Sequence, residues 1–144
     1  MNELASKALF DADVASLPRL AALRGWTIHE IAFPVIDASF NEAGRRTLRV
    51  RLVASDWNEK PPSVELRAAD GTFLKHGEAP AQSIFHQGPH PAIGRPFVCM
   101  VGTLEYHTHP NHTTDHWENY KQGEHATLTS LLTQIWSAWL HATK

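Results

Sequence analysis

Phe85-His-Gln-Gly-Pro-His90-Pro91-Ala92-Ile-Gly94-Arg-Pro96-Phe-Val98-Cys99-Met100 is the stretch on which the reading of this chain turns. It ends on the chain's only cysteine, and the densest polar run follows at once: Gly102-Thr-Leu-Glu105-Tyr-His107-Thr-His109-Pro110-Asn111-His112-Thr-Thr-Asp115-His116. A lone thiol forms no internal disulfide, so Cys99 is a small buried hydrophobe, a metal ligand or a nucleophile. Val98, Met100 and Val101 form a short apolar run that favours burial. Gly94, Pro96 and Gly102 bracket the residue, and a Pro/Gly/His loop leads into it, which favours display of an accessible thiol. Imidazoles near a thiol lower its pKa, so the histidines that follow are expected to activate it.

Outward from Cys99 the pattern is regular on both sides. Residues 75–96 read as a loop rather than regular structure. Before it, Val64, Leu66 and Ala68 alternate with Glu65 and Arg67, and Asp70-Gly71 supplies a turn. Leu48, Val50 and Leu52 alternate with Arg49 and Arg51 within a strand expected from Thr47 to Val53, half exposed and antiparallel. A further strand is expected from about Trp26 to Phe33, giving a meander of three. The first 24 residues read as helix broken near Pro18, with Leu17, Leu20, Ala21 and Leu23 on one face, Ser16 placed for a restart and Gly25 as the stop. After Cys99, Leu128, Leu131, Leu132, Ile135 and Trp139 mark one stripe of a helix from about Thr127 to His141. Trp136 and Trp139 read as core aromatics.

At 144 residues and 42% hydrophobic the chain has the length of a single domain, residues 1–144, able to bury a sizeable core. Thirteen basic and fifteen acidic side chains, interspersed, lack the basic stripe that nucleic acid demands. No apolar run approaches the roughly 20 residues that span a bilayer, and the N-terminus has no signal peptide's apolar centre. Neither nucleic acid nor membrane is expected as a partner, and an unpaired thiol fits a reducing cytoplasm.

Seven of the ten histidines lie between His86 and His125. Imidazole is both a metal ligand and a proton carrier near neutral pH. Glu105, His107 and His109 alternate, so on an extended segment they project from one face. With Cys99 or His112 they offer the mixed donors that tetrahedral zinc accepts, although no Cys-x-x-Cys pair or His-Glu-x-x-His helix is present. The same residues serve equally to orient a nucleophile, move a proton or donate to an oxyanion.

The order of parts resembles the ubiquitin-conjugating enzyme fold. Asp56-Trp-Asn-Glu-Lys-Pro61-Pro62-Ser-Val64-Glu-Leu66 is similar to that family's aromatic, Pro-Pro and following strand. The opening stretch is similar to its His-Pro-Asn segment, glycine and active cysteine between apolar residues. Trp117 and then Leu128-Thr-Ser-Leu131-Leu132-Thr-Gln-Ile135 are similar to its later tryptophan and helix. The match spans roughly residues 17 to 141. The nearer resemblance is to bacterial relatives described as a Cys-Glu-His-His predicted metal-binding group, found in ubiquitin-like conjugation systems linked to antiphage defence.

That resemblance implies an α+β fold with an N-terminal helix, an antiparallel meander, an active-site loop and a C-terminal helix. It implies a transferase that receives a ubiquitin-like modifier from an activating enzyme as a thioester on Cys99 and passes it to an amine on a target protein. No cofactor is required for this. Glu105, His107, His109 and Asn111 are the expected supporting residues, with Glu105, His107 or Asp115 taking the amine's proton. The family's asparagine, which stabilises the oxyanion, is absent, because His90-Pro91 is followed by Ala92. A second His109-Pro110-Asn111 lies beyond Cys99, and Asn111 is expected to replace the missing donor by folding back over the thioester. Two alternatives remain at this level: a zinc-binding domain holding the metal on Cys99, Glu105, His109 and His112, and a catalytically silent adaptor of the same fold.

Overall fold

Pro18 divides the N-terminal helical segment into two. In the computed structural model, which describes residues 2–81 and 83–143, α1 (Glu3–Val14) begins where Asn2 Oδ1 accepts from the Ala5 N–H at 2.8 Å. Helix α2 (Leu17–Arg24) carries Pro18 in its first turn, where a residue without an N–H is tolerated. Ser16 precedes it but makes no side-chain cap. Gly25, at φ +73°, ends α2 and donates its N–H to the Ala21 carbonyl. Met1, Gln82 and Lys144 fall in the expected first helix, the expected loop and the end of the domain, and lie outside the described residues.

The sheet has four antiparallel strands in the order of the chain: β1 (Thr27–Ala32), β2 (Val35–Phe40), β3 (Leu48–Val53) and β4 (Ser63–Arg67). The expected meander of three omitted β2, whose Asp37, Ala38 and Ser39 are poor strand formers by composition. The pairing partners supply what the sequence lacks. Ile36 faces Leu52, Ala38 faces Val50 and Phe40 faces Leu48, and the row continues through Val64 and Leu66. These residues are buried beneath the helices with Phe10, Leu17, Trp26 and the α4 stripe. On the other face Asp37, 2% exposed, accepts from Arg49 Nε at 2.8 Å and Arg51 at 3.1 Å. Burial alone would raise the Asp37 pKa, but these two guanidiniums bring it below the ordinary value. A charged ladder thus lets a central strand carry an acid.

The long helix α4 (Leu128–Ala142) starts at Thr127, whose hydroxyl accepts from the Ser130 N–H. Its stripe of Leu128, Leu131, Leu132, Ile135 and Trp139 is buried, as the sequence predicts, whereas Trp136 is only partly buried and meets Trp26 edge to face. Asp13 joins three segments: its Oδ2 accepts from Trp57 Nε1 and from the Leu128 N–H, each at 3.1 Å.

Between sheet and α4 the expected loop contains a short ladder, β5 (Phe85–His86) against β6 (Phe97–Val98). Helix α3 (Leu104–Thr108) follows, then three short 3₁₀ turns, Pro110–His112, Trp117–Asn119 and Glu124–Ala126. No described helix is long and apolar enough to cross a membrane. Gly102 permits the passage from β6 to α3: its φ is +101°, and a Cβ placed there would come within 2.5 Å of Leu131 Cδ2. Gly102→Ala therefore forces both backbone strain and a clash with the core, and should lower stability by about 2–4 kcal/mol in denaturant melts. A loss below about 0.5 kcal/mol would contradict this account of the turn.

Candidate functional site

Cys99 follows directly on β6, with its backbone N–H donated to the Ile84 carbonyl at 2.8 Å. This bond extends the β5–β6 ladder and fixes where the thiol emerges. The side chain is half-buried. The loop before it closes around His90, which is 1% exposed. The His90 N–H donates to the Arg95 carbonyl, and the N–H groups of Ile93 and Gly94 donate to the His90 carbonyl. Its Nδ1 accepts from the Ala92 N–H at 3.0 Å, which leaves Nε2 to carry the proton and donate to the Glu105 carbonyl at 2.9 Å. His90 thus braces the loop and α3, and Ala92 takes part through its backbone alone.

Glu105, His107 and His109 do not lie on an extended segment. Gly102 turns the chain, and Thr103 caps a helix there, its Oγ1 accepting from the Tyr106 N–H at 3.2 Å. Glu105 and His107 lie on that helix and His109 is its C-cap, and the three side chains diverge. Glu105, 3% exposed, accepts from Ser63 Oγ at 2.7 Å and from the Val64 N–H at 2.8 Å. Burial pushes its carboxyl pKa up against those two hydrogen bonds. His107 has both ring nitrogens occupied: Nε2 accepts from the Gly102 N–H at 3.1 Å, so Nδ1 donates to the Asp115 carbonyl at 2.8 Å. The expected proton acceptors Glu105 and His107 are therefore fasteners of the site.

His109 stacks against Phe97 and meets His90 edge to face. Its Nδ1 accepts from the Asn111 N–H, and burial, aided by His90, His112 and His86, lowers its pKa. The side chain of Asn111 is exposed, at the centre of the 3₁₀ turn that ends on His112. His112 is the histidine brought to the thiol, its Nε2 lying 3.6 Å from Cys99 Sγ. The expected depression of the Cys99 pKa is reversed, because burial pushes the thiol up. The four candidate zinc ligands are not assembled, since the Glu105 carboxylate is committed to β4. Among the described residues no three His, Cys, Asp or Glu side chains are grouped to hold a metal ion.

Around this pair lies an aromatic cluster that the sequence did not single out. Tyr106 stacks on His112 with ring centroids 4.0 Å apart and planes 14° from parallel. The Tyr106 and Tyr120 hydroxyls donate to the two oxygens of Asp115, each at 2.5 Å. Both bonds favour the carboxylate and the neutral phenols, so Asp115 is held below the usual carboxylate range, Tyr120 is raised and Tyr106 is pushed up to about 12. No sequence period links positions 106, 115 and 120, so only folding reveals the cluster. Beside it, Val101, Gly102, Trp117, Tyr120, Ala126 and Leu131 help line a cleft of about 350 Å³.

The family model described as the Y4jH family matches residues 84–142. This match begins one residue before β5 and ends with α4, so it takes in Cys99 and its surrounding histidines, and it leaves the sheet outside. No curated protein matches the chain.

Two outcomes are expected. Tyr106 and Tyr120 are the chain's only tyrosines. A spectrophotometric titration should therefore develop little phenolate near pH 10, where a free phenol is half ionised, and Asp115→Asn should return the signal toward that pH. Because the phenol pKa values are raised on folding, the stabilisation from these bonds is complete below about pH 10 and lost as pH rises toward the Tyr106 value of about 12. Half-development of the signal at pH 10 in the unaltered protein would refute the clamp. Glu105→Ala strands the Ser63 hydroxyl and Val64 N–H and should cost about 1–3 kcal/mol in denaturant unfolding, with little change in Cys99 alkylation rate. A large rate loss with unchanged stability would instead place Glu105 in the chemistry.

Proposed function

We propose that this chain is a thioester carrier of the ubiquitin-conjugating kind, with Cys99 as the acyl-accepting sulfur. The observation that carries the reading is the setting of that sulfur. It stands half-buried at the end of a short ladder, between a loop braced by His90 and a turn, His109 to His112, that folds back onto it. A nucleophile that must both accept and surrender an acyl group needs a fixed position and an open side, and a structural thiol needs neither. The mixed α+β architecture, with helix, antiparallel meander, thiol-bearing loop and C-terminal helix in that order, supports the same reading.

The chemistry runs in two exchanges. The Cys99 sulfur attacks the carbonyl carbon of a thioester presented by an activating enzyme; the new S–C bond forms as the old one breaks, and the activating enzyme's sulfur leaves. A target amine then attacks the same carbonyl carbon, loses a proton, and forms an amide while the Cys99 sulfur departs. The oxyanion that forms when the amine attacks needs a hydrogen-bond donor. With alanine at position 92, the exposed Asn111 in the turn facing Cys99 is the donor this reading assigns to it. The modifier is a ubiquitin-like protein and its setting a bacterial conjugation system of antiphage defence.

The test is direct. Mixed with a ubiquitin-like modifier, its activating enzyme and ATP, the protein should form an adduct on a non-reducing gel that thiols discharge, and Cys99→Ser should trap an ester that they do not. Asn111→Ala should charge normally and discharge to amine about 10²-fold more slowly. Absence of any thiol-sensitive adduct while the activating enzyme is itself charged would rule the carrier reading out; modifier binding indifferent to Cys99 would point to an adaptor instead.

A further inference from the structure

Burial pushes the Cys99 thiol pKa up, and a protonated thiol is a poor nucleophile. Any reaction at this sulfur needs a group to take its proton. The candidates around it can be tested one by one from their hydrogen bonds. The Glu105 carboxylate is spent on Ser63 and Val64, and both His107 nitrogens are engaged. His90 accepts at Nδ1 and donates at Nε2, and is buried. Asp115 holds two phenol protons and is thereby a weaker base than an ordinary carboxylate. Among the described residues, His112 alone points a ring nitrogen at the sulfur.

We propose that His112 is the base that takes the Cys99 proton, and that Tyr106, fixed by Asp115, is the positioning residue that aims it. The geometry supports both parts. Nε2 lies 3.6 Å from Sγ, within reach of a sulfur hydrogen bond. An imidazole on a short 3₁₀ turn would otherwise rotate freely about its side-chain bonds. Here its face is laid on the Tyr106 ring at 4.0 Å, and the Tyr106 hydroxyl is tied to Asp115 Oδ2. Tyr120 secures the other Asp115 oxygen, and the Asp115 N–H donates to the His112 carbonyl, so the clamp and the ring it aims belong to one turn. This arrangement rests on the carrier reading only for the identity of the acyl group; the proton transfer itself, from Sγ to Nε2, belongs to the thiol. The resulting thiolate attacks, and the imidazolium then returns the proton to the leaving sulfur.

The titratable groups facing the His112 ring are Cys99 from the end of β6, Tyr106 from α3, His109 from its own turn and Asp115 beyond it. Tyr106 is pushed up to about 12 and Asp115 is held below the usual carboxylate range, so neither changes charge near neutral pH.

Iodoacetamide provides the test, because it alkylates the thiolate and needs neither modifier nor activating enzyme. The unaltered protein should keep appreciable reactivity below pH 8. His112→Gln, which preserves size and polarity, should react about 10-fold or more slowly at pH 7, with a rate that climbs tenfold per pH unit as expected for an unassisted thiol. Tyr106→Phe keeps the stack but loses the tie to Asp115; its profile should fall between the two. His112→Gly should be slow and should recover when imidazole is added, a response that a structural role would not produce. Equal rates and profiles for the unaltered and Gln proteins, or a slow Gly variant that imidazole fails to accelerate, would overturn the assignment. His141→Gln, exposed near the end of α4, serves as control and should leave the profile unchanged. A failed modifier adduct with these alkylation results intact would overturn only the carrier reading.

Discussion

The carboxylate of Glu105 is the junction from which the site is built. Its oxygens accept from Ser63 and Val64 at the start of β4, while the carbonyl of the same residue accepts from His90 Nε2. One residue therefore binds the sheet, the loop before Cys99 and the helix after it. A buried carboxylate is costly unless its oxygens are satisfied, and these bonds, each worth roughly 1.5–3 kcal/mol with a charged acceptor, offset that cost only when all three segments are in place. The Leu104 N–H, donated to the Pro62 carbonyl at 2.8 Å, locks the same seam through the backbone. Loss of the Glu105 carboxylate would remove the side-chain ties from α3 to β4, while the Leu104–Pro62 backbone bond still holds the helix that leads to the turn carrying His112.

From this junction the polar residues divide into those that hold the backbone and those that face the sulfur. His90 and His107 are each satisfied on both ring nitrogens, by backbone groups of the loop and of the turn after β6. His109 lies between Phe97 and His90 as part of the packing. His112 is the one turned to Cys99. A histidine-rich segment beside a thiol is thus mostly scaffold, because a loop lacking a sheet or long helix of its own must satisfy its N–H and C=O groups from side chains. The cluster of Tyr106, Asp115 and Tyr120 instead ties side chain to side chain beside the turn.

Particular residues explain how far the sequence could be read. The strands at 48–53 and 63–67 were legible because large apolar and charged residues alternate, and the helix at 128–142 because its apolar stripe repeats at helical spacing. Strand β2 was hidden by small and acidic residues whose burial depends on Arg49 and Arg51 across the sheet. The alternation of Glu105, His107 and His109 suggested an extended segment and one shared face, but a single threonine cap and a glycine with positive φ made the segment helical. With that change of period, from two residues to 3.6, the zinc set dispersed and Glu105 turned toward β4. The cysteine's pKa ran opposite to expectation for a related reason: sequence proximity counts imidazoles, whereas burial is set by how the loop packs.

The sequence by itself determined the ingredients and their order: a broken helix, a meander, a Pro/Gly/His loop leading to a lone thiol, and an amphipathic helix to cover the sheet. Those follow from local periodicity and from residues that constrain the backbone, such as Pro18, Gly25 and Gly102. Tertiary structure alone decided which polar groups meet. Ser63 and Glu105 are distant in the chain, as are Asp13 and Leu128, and each pairing exists because the sheet and helices pack in one register. Whether a histidine becomes a brace or faces the thiol is settled by the hydrogen-bond partners within reach of its two nitrogens, and those partners come from segments that only folding brings together.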